Sequence, residues 1–475
     1  MLLPAKRPQN GRRPSDGLDP AAIIVSCDLQ DIPPYAVLYP GTPKTTNSLK
    51  FAPDGNTYRT SKLRRQSDMA IPRGSVAFTL MLGALAALPP LGIDMSLPAL
   101  PSIASGLSTS AAASGATLSI FLLGFALAPL IFGPLSDRFG RRPVLLGGVA
   151  VFATTGLFCA AAPSIGWLLA GRLAQGMGAG VGAAMPLAII RDLFTNAAAR
   201  TRLSTVTVVL SVAPLVAPSL GSAVVPFAGW RGIYLILGGA TALLWLIVLF
   251  GFEESMDPGR RQSLLPSRLL ARYRRVLGHR ASLGFSLVNA LSFACMFAFI
   301  SGSPLVLIGG RGFSPIAFSA VFACAGFGTI SGAFVNDQFA KRGIPSSRIL
   351  AWSLSIGTAS TLALVALSVT GLDSVMTLLP LLMVSNATFG LVGPNATHEA
   401  LQPMPEAAGI ASAVLRCIQM MAAAGASALV PLLYHGHSSL PMTGVMAGCA
   451  SLALLVFGLQ RDKTMPAAMA AYSAE

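Results

Sequence analysis

Between residues 75 and 458 the chain keeps returning to apolar runs of about 20 residues, separated by short polar loops. A run of that length, rising 1.5 Å per residue, crosses the ~30 Å hydrocarbon core of a bilayer as an α-helix. Barrel strands are about half as long and alternate in polarity, so the pattern predicts an all-α integral membrane protein. Only 11% of the residues are charged, against about a quarter in soluble domains. The net charge of +15 would suit nucleic acid, but the basic residues lie in loops between apolar runs rather than on one soluble face. The six cysteines are scattered, and five fall in or beside apolar runs, so neither a disulfide framework nor a metal site is expected.

Twelve spans are predicted, at residues 75–100, 112–135, 143–162, 165–190, 204–227, 232–252, 281–308, 315–339, 349–370, 374–393, 409–433 and 441–459. The even number puts both termini on one side. On that side fall Arg138, Arg141 and Arg142, then Arg191, Arg200 and Arg202, then Lys341, Arg342 and Arg348. The opposite loops carry little beyond Arg231 and Arg311, and this bias predicts cytoplasmic termini. The chain then divides into a polar extension (1–68), a six-helix bundle (69–252), a basic linker (253–282), a second bundle (283–460) and a tail (461–475). The extension, with ten Lys/Arg against six Asp, reads as disordered, and Met69 stands as an alternative start. The linker carries seven arginines against three acids and reads as an anchor near anionic headgroups, with a short surface helix over 267–277.

The sharpest local feature joins the second and third spans: Gly133-Pro134-Leu135-Ser136-Asp137-Arg138-Phe139-Gly140-Arg141-Arg142-Pro143. Gly140 suits a helix stop and Pro143 a first turn, so the segment reads as a hairpin hinge. A degraded copy, Asn336-Asp337-Gln338-Phe339-Ala340-Lys341-Arg342, follows the eighth span 200 residues later. The order Gly-x-x-x-Asp-Arg-x-Gly-Arg-Arg resembles the loop signature of major facilitator superfamily transporters. That resemblance implies two six-helix bundles related by an axis along the membrane normal, with a central site between them. It also implies a cytoplasmic gate made of Gly133, Asp137, Arg138, Gly140, Arg141, Arg142 and Asp337, Asp137 acting as a latch; a hinge that only shapes the turn is the plainer alternative.

Charges within spans are costly, so they mark sites. Asp94 lies six residues from the outer end of the first span, and Arg172 seven from that of the fourth. Both therefore sit about 10 Å inside the same boundary, where an ion pair is geometrically possible. Asp94 reads as a proton or cation acceptor, against a plain helix-end role beside Pro98 and Pro101. Arg172 could bind an anionic group, orient Asp94 or satisfy backbone carbonyls. In the fifth span Pro214, Pro218 and Gly221 share one helical face and allow a kink and close packing.

The run Ala213-Pro214-Leu215-Val216-Ala217-Pro218-Ser219-Leu220-Gly221 resembles the fifth-helix motif of the antiporter branch, with Ala217 and Ser222 where glycines are usual. Ile93-Asp94-Met95-Ser96-Leu97-Pro98-Ala99-Leu100-Pro101, Arg191-Asp192-Leu193-Phe194, Gly229-Trp230-Arg231 and Ile300-Ser301-Gly302-Ser303-Pro304 resemble the Bcr/CflA type of drug/proton antiporter. Arg416 in the eleventh span departs from that pattern and either faces the cavity or snorkels inward. The resemblance implies a monomeric, multi-pass protein of the bacterial inner membrane that exports drugs or other amphipathic molecules against proton influx. Its expected partners are a small-molecule substrate, protons and membrane lipid, with no nucleic acid, no metal and no cofactor beyond the proton gradient. An enzyme is not expected, since His279, His398, His435 and His437 form no catalytic set inside a span. An exporter of one endogenous metabolite, or a proton-independent facilitator or receptor, remains the alternative on the same fold.

Overall fold

The computed structural model describes residues 71–436, apart from 258 and 260–265, and residues 438–472; for 266–269 and 461–472 it describes the backbone alone. The extension at 1–68, the alternative start Met69 and linker residues Arg260 and Arg261 lie outside the described residues, as does the side chain of Arg268. Every regular element described is helical. Eleven helical segments are long and apolar enough to cross a membrane. One of them, Asn196–Gly251, has 56 residues, about 84 Å of helix and far more than one crossing needs. It breaks at Gly229, whose φ of 59° and ψ of −166° leave the helical region, so it supplies the fifth and sixth spans. The predicted twelve crossings are therefore present.

Local chemistry sets the ends. Ser110, Ser314 and Ser374 cap the second, eighth and tenth spans, each hydroxyl accepting from the amide three residues on. Gly140, at φ 102°, ends the second span and opens the third in one residue. The first span is discontinuous: Val76–Asp94 is followed by a 3-10 turn, Leu97–Ala99, and a short helix, Leu100–Gly106. Pro98 and Pro101 lack the amide hydrogens that would have continued the helix across this join. The linker helix spans Pro266–Gly278, close to the expected 267–277. The last helix runs on from Leu440 to Tyr472, through the segment read as a tail; Ala467, Ala468, Ala470 and Ala471 favour helix there.

Spans pack by backbone contact at small residues, since lipid gives no hydrophobic drive between helices. A Cβ on Gly176 of the fourth span would lie 2.0 Å from the Phe121 carbonyl of the second, and one on Gly124 would lie 2.0 Å from the Leu173 carbonyl. The eighth and tenth spans repeat this, with Gly332 against the Ala387 carbonyl and Gly390 against that of Thr329. The internal repeat is thus visible as packing.

The two halves meet at the end away from the arginine-rich loops. There a Cβ on Gly115 would meet the Pro431 ring, and the Ser222 hydroxyl lies 2.7 Å from that of Ser319 and from the Pro315 carbonyl. At the other end the second half keeps its own small core of Val288, Leu350, Leu354, Val392 and Phe457. Phe139 and Phe334, near the ends of the second and eighth spans that carry the arginine-rich loops, are exposed.

Candidate functional site

A cavity of about 720 Å³ lies between the halves, the size of sites that take drug-sized ligands. Its first-half wall is mostly apolar, with Pro89, Pro90, Phe125, Pro214 and Leu215, and one acid, Asp94. The second-half wall mixes aromatic residues with Asn289, Asn386, Thr397, Arg416 and Gln419. Among the described residues Asp94 and Arg416 are its only charged lining residues.

Asp94 is the last residue of the first helix before the break. It is 4% exposed, and its Oδ1 has no hydrogen-bond partner among the described residues. The fifth span holds this break in place. A Cβ on Gly221 would sit 2.1 Å from the Met95 carbonyl, so only glycine lets the two backbones touch beside Asp94. Pro214 of the same face lines the cavity, and Pro218 is buried.

Arg172 does not pair with Asp94, and none of the ion pairs among the described residues includes either one. Its Nη1 donates to Gln175 Oε1 at 2.7 Å and its Nε to the Thr117 carbonyl at 3.3 Å. The guanidinium lies over the Phe121 ring at 4.2 Å and the Tyr234 ring at 5.5 Å, fully buried. A count along a helix fixes height, not direction around the axis, and the guanidinium rests on these rings rather than on the acid. Its Nη2 has no hydrogen-bond partner among the described residues, so the contacts place Arg172 in the packing of the first half, held by one side-chain oxygen, one carbonyl and two rings.

The hinge residues form a network within the first half. Arg141 bonds Asp137 at 2.7 Å and Asp192 at 2.9 Å, and Ser136 Oγ at 2.6 Å. Arg142 donates to the Leu249 carbonyl at 2.8 Å, and Arg138 lies over the neighbouring Phe139 ring. Gly133 faces open space. Glu254, at the end of the sixth span, accepts from the amides of Arg141 at 2.9 Å, Arg142 at 3.2 Å, and Ser255 and Met256 at 3.0 Å. It is an acid at a helix N-terminus, and it fills the space a Cβ on Gly140 would take. Asp337 pairs with Lys341 at 2.5 Å inside the second half.

Sequence reasoning missed Glu254, Gln175, Gln419 and Asn289. For the two glutamines a signal existed: each stands three residues after an in-span arginine, on the same helical face. Arg416 Nη1 donates to Gln419 Oε1 at 2.9 Å, and its side chain is exposed to the cavity. The residue that breaks the expected pattern therefore faces the central space rather than snorkelling to the inner surface.

Comparison with known proteins agrees with this architecture. A transporter of Bacillus subtilis, the uncharacterized MFS-type transporter YdgK, is 33% identical over 395 residues, 82% of this chain and 96% of its own length. The bicyclomycin resistance protein homolog of Haemophilus influenzae is 29% identical, over 81% of this chain and 96% of its own. Among solved structures, a bacterial homolog of the human lysosomal transporter Spinster matches with a TM-score of 0.62 at 17% identity, covering 82% of this chain and 97% of that one. The family model of the Major Facilitator Superfamily matches residues 82–427, and with twelve crossings in two repeated halves around a central cavity the chain belongs to that superfamily.

Proposed function

We propose that the protein exports drugs and other amphipathic small molecules across the bacterial inner membrane by alternating access, in exchange for protons. The observation that carries this reading is the central cavity with Asp94 in its wall, an acid buried at the break in the first span with an unpartnered oxygen. Such an acid is costly when ionised without water or a counter-charge, so its protonation follows the opening and closing of the cavity. The names of relatives, among them the bicyclomycin resistance homolog and multidrug resistance protein D of Escherichia coli, support a drug substrate.

The arginine-rich loops favour the cytoplasmic side for both termini. On that assignment the closed end is periplasmic, and the cavity loads from the cytoplasm. A proton leaves Asp94 toward the cytoplasm as substrate enters; after the halves rock, protonation from the periplasm accompanies substrate release. The hinge acts as the gate. Asp137 and Asp337 now bond within their own halves and would trade partners as the cytoplasmic ends close. The transporter works as a monomer and needs no cofactor.

The test is transport by proteoliposomes under an imposed pH gradient, with a panel of antibiotics and dyes, comparing the native chain with Asp94→Asn. Gradient-dependent movement that disappears in the variant is expected. Movement indifferent to the gradient, or a variant that behaves as native, would leave a facilitator and remove the proton mechanism.

A further inference from the structure

From Arg416 and the polar chain behind it we infer that the cavity selects soluble amphipathic anions: an aromatic or apolar body carrying one carboxylate or similar oxyanion. This deepens the transport reading and rests on it for the statement that such ligands are cargo. Arg416 lies eight residues from Ala408, the start of its helix, about 12 Å along the axis. A cation at that depth is costly without a counter-charge, and a guanidinium does not shed its proton. No acid pairs with it among the described residues, and its side chain is exposed to the cavity. The missing negative charge is one a ligand can bring.

The surroundings set the geometry for such a ligand. Gln419 Oε1 accepts from Arg416 at 2.9 Å, and Gln419 Nε2 donates to Asn289 Oδ1 at 2.7 Å. Asn289 Nδ2 in turn donates to Thr397 Oγ1 at 2.9 Å and to the Gly393 carbonyl at 3.0 Å. Both amide oxygens accept within this chain and both Asn289 N–H groups are donated within it, so the spare donors are the remaining N–H groups of Arg416 and one of Gln419. A donor face built round a planar fork suits the two oxygens of a carboxylate. The fork is held by a chain crossing three helices, so little ordering remains to be done on binding. On the same cavity wall Phe293 packs against Phe297, with centroids 4.7 Å apart, and against Phe389 at 5.2 Å. These rings offer an aromatic corner for the apolar body.

Arg172 provides the internal contrast. It has the same glutamine three residues on, but Phe121 and Tyr234 cover it and it does not line the central cavity. The Arg416 guanidinium lacks that cover.

The probe is a matched pair, radiolabelled 2-naphthoate and 2-naphthamide, equilibrated at neutral pH with the purified full-length protein in detergent. The native protein is expected to bind the carboxylate about 10- to 100-fold more tightly than the amide, the range for a hydrogen bond to a charged group. Arg416→Gln should remove that preference while retaining the amide, which shows the cavity intact. Arg416→Lys, which keeps the charge and loses the fork, should keep a weaker preference. Equal native affinities, an undiminished preference in Arg416→Gln, or equal loss of both ligands in that variant would each overturn the inference. No gradient enters this assay, so a failure of proton coupling leaves its result standing, and a failure here leaves the coupling test standing.

Discussion

Replacing Gly176 with alanine adds one methyl group where two membrane helices touch backbone to backbone. The new Cβ would stand 2.0 Å from the Phe121 carbonyl oxygen, 2.9 Å from its carbon and 3.0 Å from the Phe125 amide nitrogen. A carbon rests against a carbonyl oxygen at about 3.3 Å, so the helices must part by about 1.3 Å or distort. All three obstructing atoms are main chain, and no side chain can swing aside. Parting by that much gives up more than half the dispersion contact along this face, and with rigid walls the cost falls at the upper end for overpacking, about 3 kcal/mol. It also draws the Phe121 ring off the Arg172 guanidinium, now 4.2 Å away. Unfolding followed by tryptophan fluorescence in detergent measures the loss. Gly147→Ala and Gly239→Ala are the controls: neither glycine has a neighbour within 4 Å of an added Cβ, and each should be neutral or gain up to about 1 kcal/mol from helix propensity. A Gly176→Ala variant as stable as those controls would refute the claim that the second and fourth spans pack through this glycine.

Glu254→Gln keeps the shape of the side chain and removes the charge that four amide hydrogens share; we expect a loss of about 1.5–3 kcal/mol and faster proteolysis at the hinge, and unchanged hinge protection would count against Glu254 as its anchor. The Ser222 and Ser319 hydroxyls lie 2.7 Å apart where the halves meet, within reach of a disulfide. Ser222→Cys/Ser319→Cys, oxidised in a background free of other cysteines, should therefore hold the halves closed at this end and stop transport, with recovery on reduction. Full transport by the crosslinked form would show that this end does not open in the cycle.

The architecture was legible because one physical constraint sets it: in lipid a spanning segment must satisfy its own backbone, so apolar run length reads directly as helix. The hinge was legible too, since Gly140 and the following arginines mark a turn by local chemistry. Its anchor was not. Glu254 stands more than 100 residues away, and nothing near it in sequence says that its carboxylate turns back to cap the third span. The glycines that seat the second span on the fourth carried a weak signal as well, because membrane helices are rich in glycine for many reasons and only the partner backbone tells which are in contact.

The in-span charges show where sequence reasoning runs out. Depth can be counted from a helix end, but a helix turns 100° per residue and the partner depends on azimuth. Arg172 faces Phe121, Tyr234 and Gln175, not the acid. Arg416 repeats the same spacing to a glutamine, Arg-x-x-Gln, and the structure gives it the opposite surroundings: open cavity in place of aromatic cover. Two identical local patterns thus carry different physics. Neither cation has an ion-pair partner among the described residues; one is enclosed by rings and oxygens of the first half, and the other is held in position by its glutamine and left open to the cavity. The difference lies entirely in which neighbouring helix presents a side chain to the guanidinium, and that is fixed by the packing of six spans at once.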